Sequence, residues 1–173
     1  AAQPGMICDY DALSKEFGIN RITMSNYFFY LEESFLLRKL YNFSRNMITS
    51  EKKMKRIYLN ASFFPYLNNN IDESKLLENV MITLISPKFF WRSPQKQEVD
   101  AIKTEHEKII PIEIKYKNSV LDKDIKNLLA FCKKFSCGRA IVLTKDTDNK
   151  KTFKTPIETE VEFISAWKFA LQL

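Results

Sequence analysis

Asp100, Glu113 and Lys115 have the side-chain types and spacing for metal-assisted phosphate chemistry. Ile110, Ile112, Ile114 and Tyr116 alternate with Pro111, Glu113, Lys115 and Lys117, the period-two pattern of a strand. Positions i and i+2 of a strand share a face about 7 Å apart. A carboxylate at Glu113 can then hold a divalent cation while the Lys115 ammonium lies beside the substrate. Asp100 falls on the preceding strand-like segment, Glu98–Lys103. A short turn around His106 would fold the two into a hairpin and bring Asp100 and Glu113 to one end of a sheet. Mg²⁺ or Mn²⁺ asks for one or two carboxylates, completed by water and substrate phosphate. The plain alternative is that Glu113 and Lys115 decorate an ordinary solvated strand face.

The scarce residues narrow the chemistry further. The 173-residue chain has three glycines, Gly5, Gly18 and Gly138, too far apart for either glycine-rich phosphate loop, so no nucleotide cofactor is expected in this segment. One histidine rules out a multi-histidine metal site. His106 itself reads as a turn residue. Cys8, Cys132 and Cys137 form no C-x-x-C pair and leave an odd count, which suits free thiols in a reducing cytoplasm. The net charge of +6 is spread evenly, +3 in residues 1–70 and +3 in the remainder, a diffuse surplus that leans toward nucleic acid. No apolar run approaches the roughly 18 residues of a membrane span, so no membrane partner is expected. The opening Ala1-Ala2-Gln3-Pro4-Gly5 lacks an initiator Met and reads as the start of a cut piece.

The elements that must position these residues divide near Asn68-Asn69-Asn70, giving domains 1–70 and 71–173. In the first, Asp9 caps a helix with Leu13 and Phe17 inside and Gly18 at its close. Arg21-Ile22-Thr23 opens a second helix, with Ile22, Tyr27, Tyr30 and Leu31 as packing residues. Its apolar character runs nearly all round, which suits burial. Strands follow at Leu36–Tyr41 and Arg56–Leu59, joined by a lysine-rich loop. Helix, glycine turn, helix and basic hairpin are the parts of a winged helix. Arg21, Thr23, Ser25 and Asn26 then stand where groove contacts to DNA are made, and Lys52, Lys53 and Lys55 on the wing face phosphates. Winged helices also serve as protein–protein spacers.

In the second domain a helix over Asp72–Leu84 carries a packing stripe of Leu76, Leu77, Val80 and Leu84, with Glu78 within it. Strands are expected at Phe89–Arg92, Glu98–Lys103 and Ile109–Lys117, a helix at Leu121–Phe135, strands at Arg139–Thr144 and Glu160–Ile164, and a terminal helix at Ser165–Leu173. The passage from Ile109 to Thr144 should be a parallel crossover. Lys117 is within reach of a phosphate. Trp91 and Trp167 read as core or interface anchors. The fold class is α/β, α+β overall, with a mixed sheet.

Glu78, then Val99-Asp100, then Glu113-Ile114-Lys115 resembles the PD-(D/E)xK nuclease-like superfamily, whose restriction-endonuclease-like core runs αβββαβ. Val99 replaces the proline of the signature and leaves the Asp in place. The whole chain resembles the C-terminal part of a family of prokaryotic AAA-type ATPases, which carry a P-loop ATPase, a winged helix and a nuclease-like domain. Leu31-Glu32-Glu33-Ser34-Phe35-Leu36-Leu37 and Lys55-Arg56-Ile57-Tyr58-Leu59 are similar to that family's helix-into-wing and second-wing-strand segments. The resemblance implies a metal-dependent deoxyribonuclease in which Glu78, Asp100 and Glu113 hold Mg²⁺ or Mn²⁺ and Lys115 assists water and the transition state. It implies DNA and the chain's own ATPase domain as partners, and leaves oligomerisation open. A nuclease-like fold that no longer cuts and serves as a docking module is the second reading.

Overall fold

The computed structural model describes residues 4–60, 72–105 and 108–173, so Asn68–Asn70 and His106 lie outside the described residues. The chain forms two compact units, Ala1–Thr83 and Leu84–Leu173.

The first unit contains β1 (Met6–Cys8), α1 (Tyr10–Phe17), α2 (Arg21–Glu33), β2 (Leu37–Asn42), α3 (Met47–Lys52), β3 (Lys55–Leu59) and most of α4 (Glu73–Ile85). Asp9 caps α1, its Oδ1 accepting from the Asp11 N–H at 2.9 Å, and Gly18 ends the helix in the left-handed region at φ 66°. Asn20 caps α2 by accepting from the Thr23 N–H at 2.8 Å. β2 and β3 pair antiparallel, Leu37 opposite Leu59, and β1 adds to the other side of β3. The core gathers Cys8, Leu37 and Ile57, with Tyr10, Leu13 and Phe28 packed against it.

Three expectations are corrected here. Helix α2 turns Met24 and Phe28 inward, while Ile22, Tyr27, Tyr30 and Leu31 are exposed. A helix apolar all round gives the sequence no means of choosing its inner face; Phe28 wins because its ring stacks on Tyr10 at 5.2 Å. Phe17, expected inside, is exposed as well. The lysine-rich connection is not all loop: Asn46 accepts from the N–H groups of Ile48 and Thr49 and starts α3, which ends at Lys52.

Helix α4 falls with the first unit through Thr83. The Asn79 amide donates to the Leu59 carbonyl at 3.0 Å, and the Tyr58 hydroxyl donates to Glu78 at 2.6 Å. By compactness the first unit ends at Thr83 and the second begins at Leu84. Met81, Ile82 and Ile85 are buried, whereas Leu84 is half exposed.

The second unit is a six-stranded mixed sheet in the order β4-β5-β6-β7-β9-β8. Its strands are β4 (Phe89–Arg92), β5 (Glu98–Glu105), β6 (Lys108–Ile114), β7 (Arg139–Thr144), β8 (Asn149–Phe153) and β9 (Thr159–Ser165). β4, β5 and β6 pair antiparallel; β6, β7 and β9 pair parallel. A 3₁₀ turn at Asp122–Ile125 leads into α5 (Lys126–Phe135), and α6 (Ala166–Ala170) closes the chain. The expected parallel crossover is the β6–α5–β7 passage. Leu128 and Phe131 of α5 are fully buried, and Phe131 meets the buried Trp91 edge-to-face at 5.2 Å. Trp167 is exposed instead. β8, absent from the sequence reading, is an exposed lysine-bearing edge strand, a type that charge protects from further pairing.

Candidate functional site

The site is set by one register. Ala101 faces Ile112 and Ile102 faces Pro111 across β5 and β6, which puts Asp100 opposite Glu113. Opposed residues of an antiparallel pair share a face with Cβ atoms about 5 Å apart. Asp100 Oδ2 also accepts from the Ile114 N–H at 2.9 Å, fixing its carboxylate against β6. Lys115 follows directly after β6, its own N–H donating to the Leu143 carbonyl of β7 at 2.7 Å. Its Nζ lies 2.7 Å from Glu113 Oε1.

Burial separates this arrangement from a solvated strand face. Glu113 is 4 % exposed, and β6 is buried on both faces from Ile110 to Ile114. Burial alone would pull the Lys115 pKa down, but Glu113, then Asp100 and Asp124, outweigh it and hold the ammonium above the usual lysine range. Asp124 is a member of the cluster that sequence reasoning missed. Its carboxylate accepts first from the Leu121 N–H at 3.0 Å and then from Lys117 Nζ at 3.2 Å, and these bonds lower its pKa. Its only sequence signal was an acid in a first helical turn soon after the Glu-x-Lys strand, where dipole complementarity already accounts for it.

Asp100, Glu113 and Lys115 thus come together. Glu78 belongs to the first unit, where its Oε1 accepts from the Tyr58 hydroxyl at 2.6 Å and lies 3.9 Å from Arg56. Among the described residues no group of three or more His, Cys, Asp or Glu side chains converges as a metal site. Within the second unit, the expected carboxylates are Asp100 and Glu113. Asp100 and Glu113 still supply adjacent hard oxygen donors, the number Mg²⁺ or Mn²⁺ takes from a protein when water and phosphate complete its shell. The residues fit that ion.

The expected nucleic-acid residues fall into several settings. Arg21 is exposed and paired with Asp11 at 3.0 Å. Ser25 and Asn26 line a concave pocket with Arg21 and Lys55, while Thr23 sits at the cap of α2. Lys52 and Lys53 are exposed at the end of α3. Lys55 Nζ donates to the carbonyls of Glu51 and Lys53, and Lys117 is held by Asp124.

The domain family that matches the second part of the chain is one found at the C-terminus of AAA-ATPase-like proteins. Residues 76–164, over half of the chain, match the family described as Domain of unknown function (DUF4143), and the chain belongs to it. Residues 1–74 match a second model, Domain of unknown function (DUF8612). No curated protein and no solved structure matches the chain significantly. No helix among the described residues is long and apolar enough to cross a membrane.

Proposed function

We propose that this chain is the DNA-cleaving C-terminal module of a AAA-type ATPase: a winged helix followed by a restriction-endonuclease-like domain acting as a metal-dependent phosphodiesterase in the cytoplasm. The observation that carries the reading is Asp100 opposite Glu113, with Lys115 on the Glu113 carboxylate. The order α4, β4, β5, β6, α5, β7 supports a nuclease-like core, and α1, α2 and the β2/β3 hairpin support a winged helix.

Asp100 and Glu113 would hold Mg²⁺ or Mn²⁺, which when bound lowers the pKa of a water and offsets phosphate charge. Lys115, with its ammonium 2.7 Å from Glu113 Oε1, would stabilise charge growing on the phosphate. The exposed cations Arg21, Lys52 and Lys53 would add sequence-independent contacts to DNA.

The test is to incubate supercoiled, branched and single-stranded DNA with either metal. Wild type should cut at least one. Asp100→Ala should lose both metal affinity and rate. Lys115→Ala should keep the metal while its rate falls by ~10²–10³. The silent docking module is favoured by the commitment of Glu78 to Tyr58. It prevails if wild type cuts none of the substrates yet shifts DNA in a gel.

A further inference from the structure

The first turn of α2 does not present a convex edge. It forms one wall of a pocket of about 390 Å³ whose other walls come from α1, β2, α3 and β3. Arg21, Lys39 and Lys55 line it, against a single acid, Glu51. That volume suits a small molecule rather than a base-pair edge.

The cations are only partly offset. Lys39 is paired with Glu32 at 2.7 Å and Arg21 with Asp11 at the surface. Among the described residues, the Lys55 ammonium donates to the backbone carbonyls of Glu51 and Lys53, which orient it without cancelling its charge. Burial, then Lys39 and Arg21, hold Lys55 below the usual lysine range, so the positive field of its neighbours reaches it. A phosphate entering here would meet two or three cationic donors at once, the strong kind of hydrogen bond.

Two tyrosines complete the lining. Lys55 Nζ stands 5.8 Å from the Tyr10 ring centre and Lys39 Nζ 5.8 Å from that of Tyr41. Each ammonium thus sits beside an aromatic ring; Tyr10 already stacks on Phe28, so Tyr41 is the ring offered to a base carried by the phosphate. Ser25 and Asn26 add hydrogen-bonding groups at the helix wall.

We propose that this pocket binds a nucleotide unit, its phosphate held by Arg21, Lys39 and Lys55. The unit is either a free mononucleotide or the 5′-phosphorylated end of a strand. The proposal rests on the pocket alone and not on nuclease chemistry in the second unit, so an absence of DNA cleavage leaves it standing.

Calorimetry of the full chain with AMP, adenosine and inorganic phosphate tests it. AMP should bind saturably, phosphate should compete, and adenosine should not bind. Lys55→Gln and Arg21→Gln should each weaken AMP by about tenfold, the loss of one charge-assisted hydrogen bond, with unchanged melting. Lys154→Gln, outside the pocket, should change nothing. Displacement of AMP by a 5′-phosphorylated strand, but not by its 5′-hydroxyl counterpart, would assign the pocket to strand ends. Displacement by neither would assign it to free nucleotide. Equal affinity for adenosine and AMP, or full AMP affinity in folded Lys55→Gln, would overturn the proposal.

Discussion

The Tyr58 hydroxyl donates to the Glu78 carboxylate at 2.6 Å across 20 residues of chain, and this bond ties α4 to β3. Glu78 is therefore expected to act on stability. Glu78→Ala should cost about 1–2 kcal/mol, the range for losing a partly buried hydrogen bond. Manganese affinity measured on the same protein should stay at the wild-type value. A drop in metal affinity without a drop in melting temperature would return Glu78 to the metal site.

Gly5 belongs to the same corner. It sits at φ +71°, donates to the Ile57 carbonyl, and a Cβ there would lie 2.9 Å from the Tyr58 hydroxyl and 3.2 Å from Glu78 Oε1. Gly5→Ala combines left-handed strain with a collision into that hydrogen bond. A loss of about 2 kcal/mol or more is expected in denaturant unfolding. Pairing it with Glu78→Ala should give less than the sum, since both act on one contact.

How far the site could be read from sequence follows from the range of each interaction. The alternation around Glu113 was legible because strand periodicity is local, and it placed Ile110, Ile112 and Ile114 in the core. The burial of Glu113 was not legible, because the strand's other face is covered as well. Tyr58 and Glu78 meet across a long sequence separation that no local pattern marks. Helix α2 failed for a different reason: with aromatics on every side, only the Tyr10–Phe28 stack chooses its face. β8 gave no strand signal because its lysines serve an exposed edge.

All three cysteines are buried free thiols. Burial, reinforced by Asp9, pushes Cys8 up to about 11 from an ordinary 9.0. A raised folded pKa favours the thiol. Its stabilising effect is thus present below about pH 9 and lost as pH rises through 11. At pH 8 the thiolate population of Cys8 should be roughly a hundredfold below that of a free thiol. A colorimetric disulfide reagent should leave the native protein unlabelled at pH 8 and count three thiols after denaturation. Rapid native labelling of Cys8 would contradict this.

Asp148 responds in the opposite direction. Lys168 first, then the Ser165 N–H and hydroxyl, each at 2.8 Å, lower its pKa to about 2 from 3.8. A depressed carboxyl stabilises the fold above its unfolded pKa, and the contribution fades as pH falls from about 4 through 2. These bonds link the segment before β8 to the start of α6. Asp148→Asn should therefore melt lower than wild type at pH 6, and the gap should narrow at pH 2–3. A gap independent of pH would mean that the charge on Asp148 does not matter.

Asp100 carries two duties that a pair of substitutions can separate. Its Oδ2 accepts from the Ile114 N–H at 2.9 Å, and its charge, facing Glu113, is what the proposed cation needs. Asp100→Asn keeps a carbonyl oxygen for that N–H and removes the charge. Asp100→Ala removes both. The Asn variant should stay within about 0.5 kcal/mol of wild type in unfolding, and the Ala variant should lose about 1–2 kcal/mol, because a strand N–H then loses its acceptor. Metal binding should be weakened in both to a similar degree, since a neutral amide oxygen is a poorer ligand for a hard cation than a carboxylate. If Asp100→Asn binds Mn²⁺ as tightly as wild type, Asp100 serves only the strand pair, and the docking reading gains over the catalytic one.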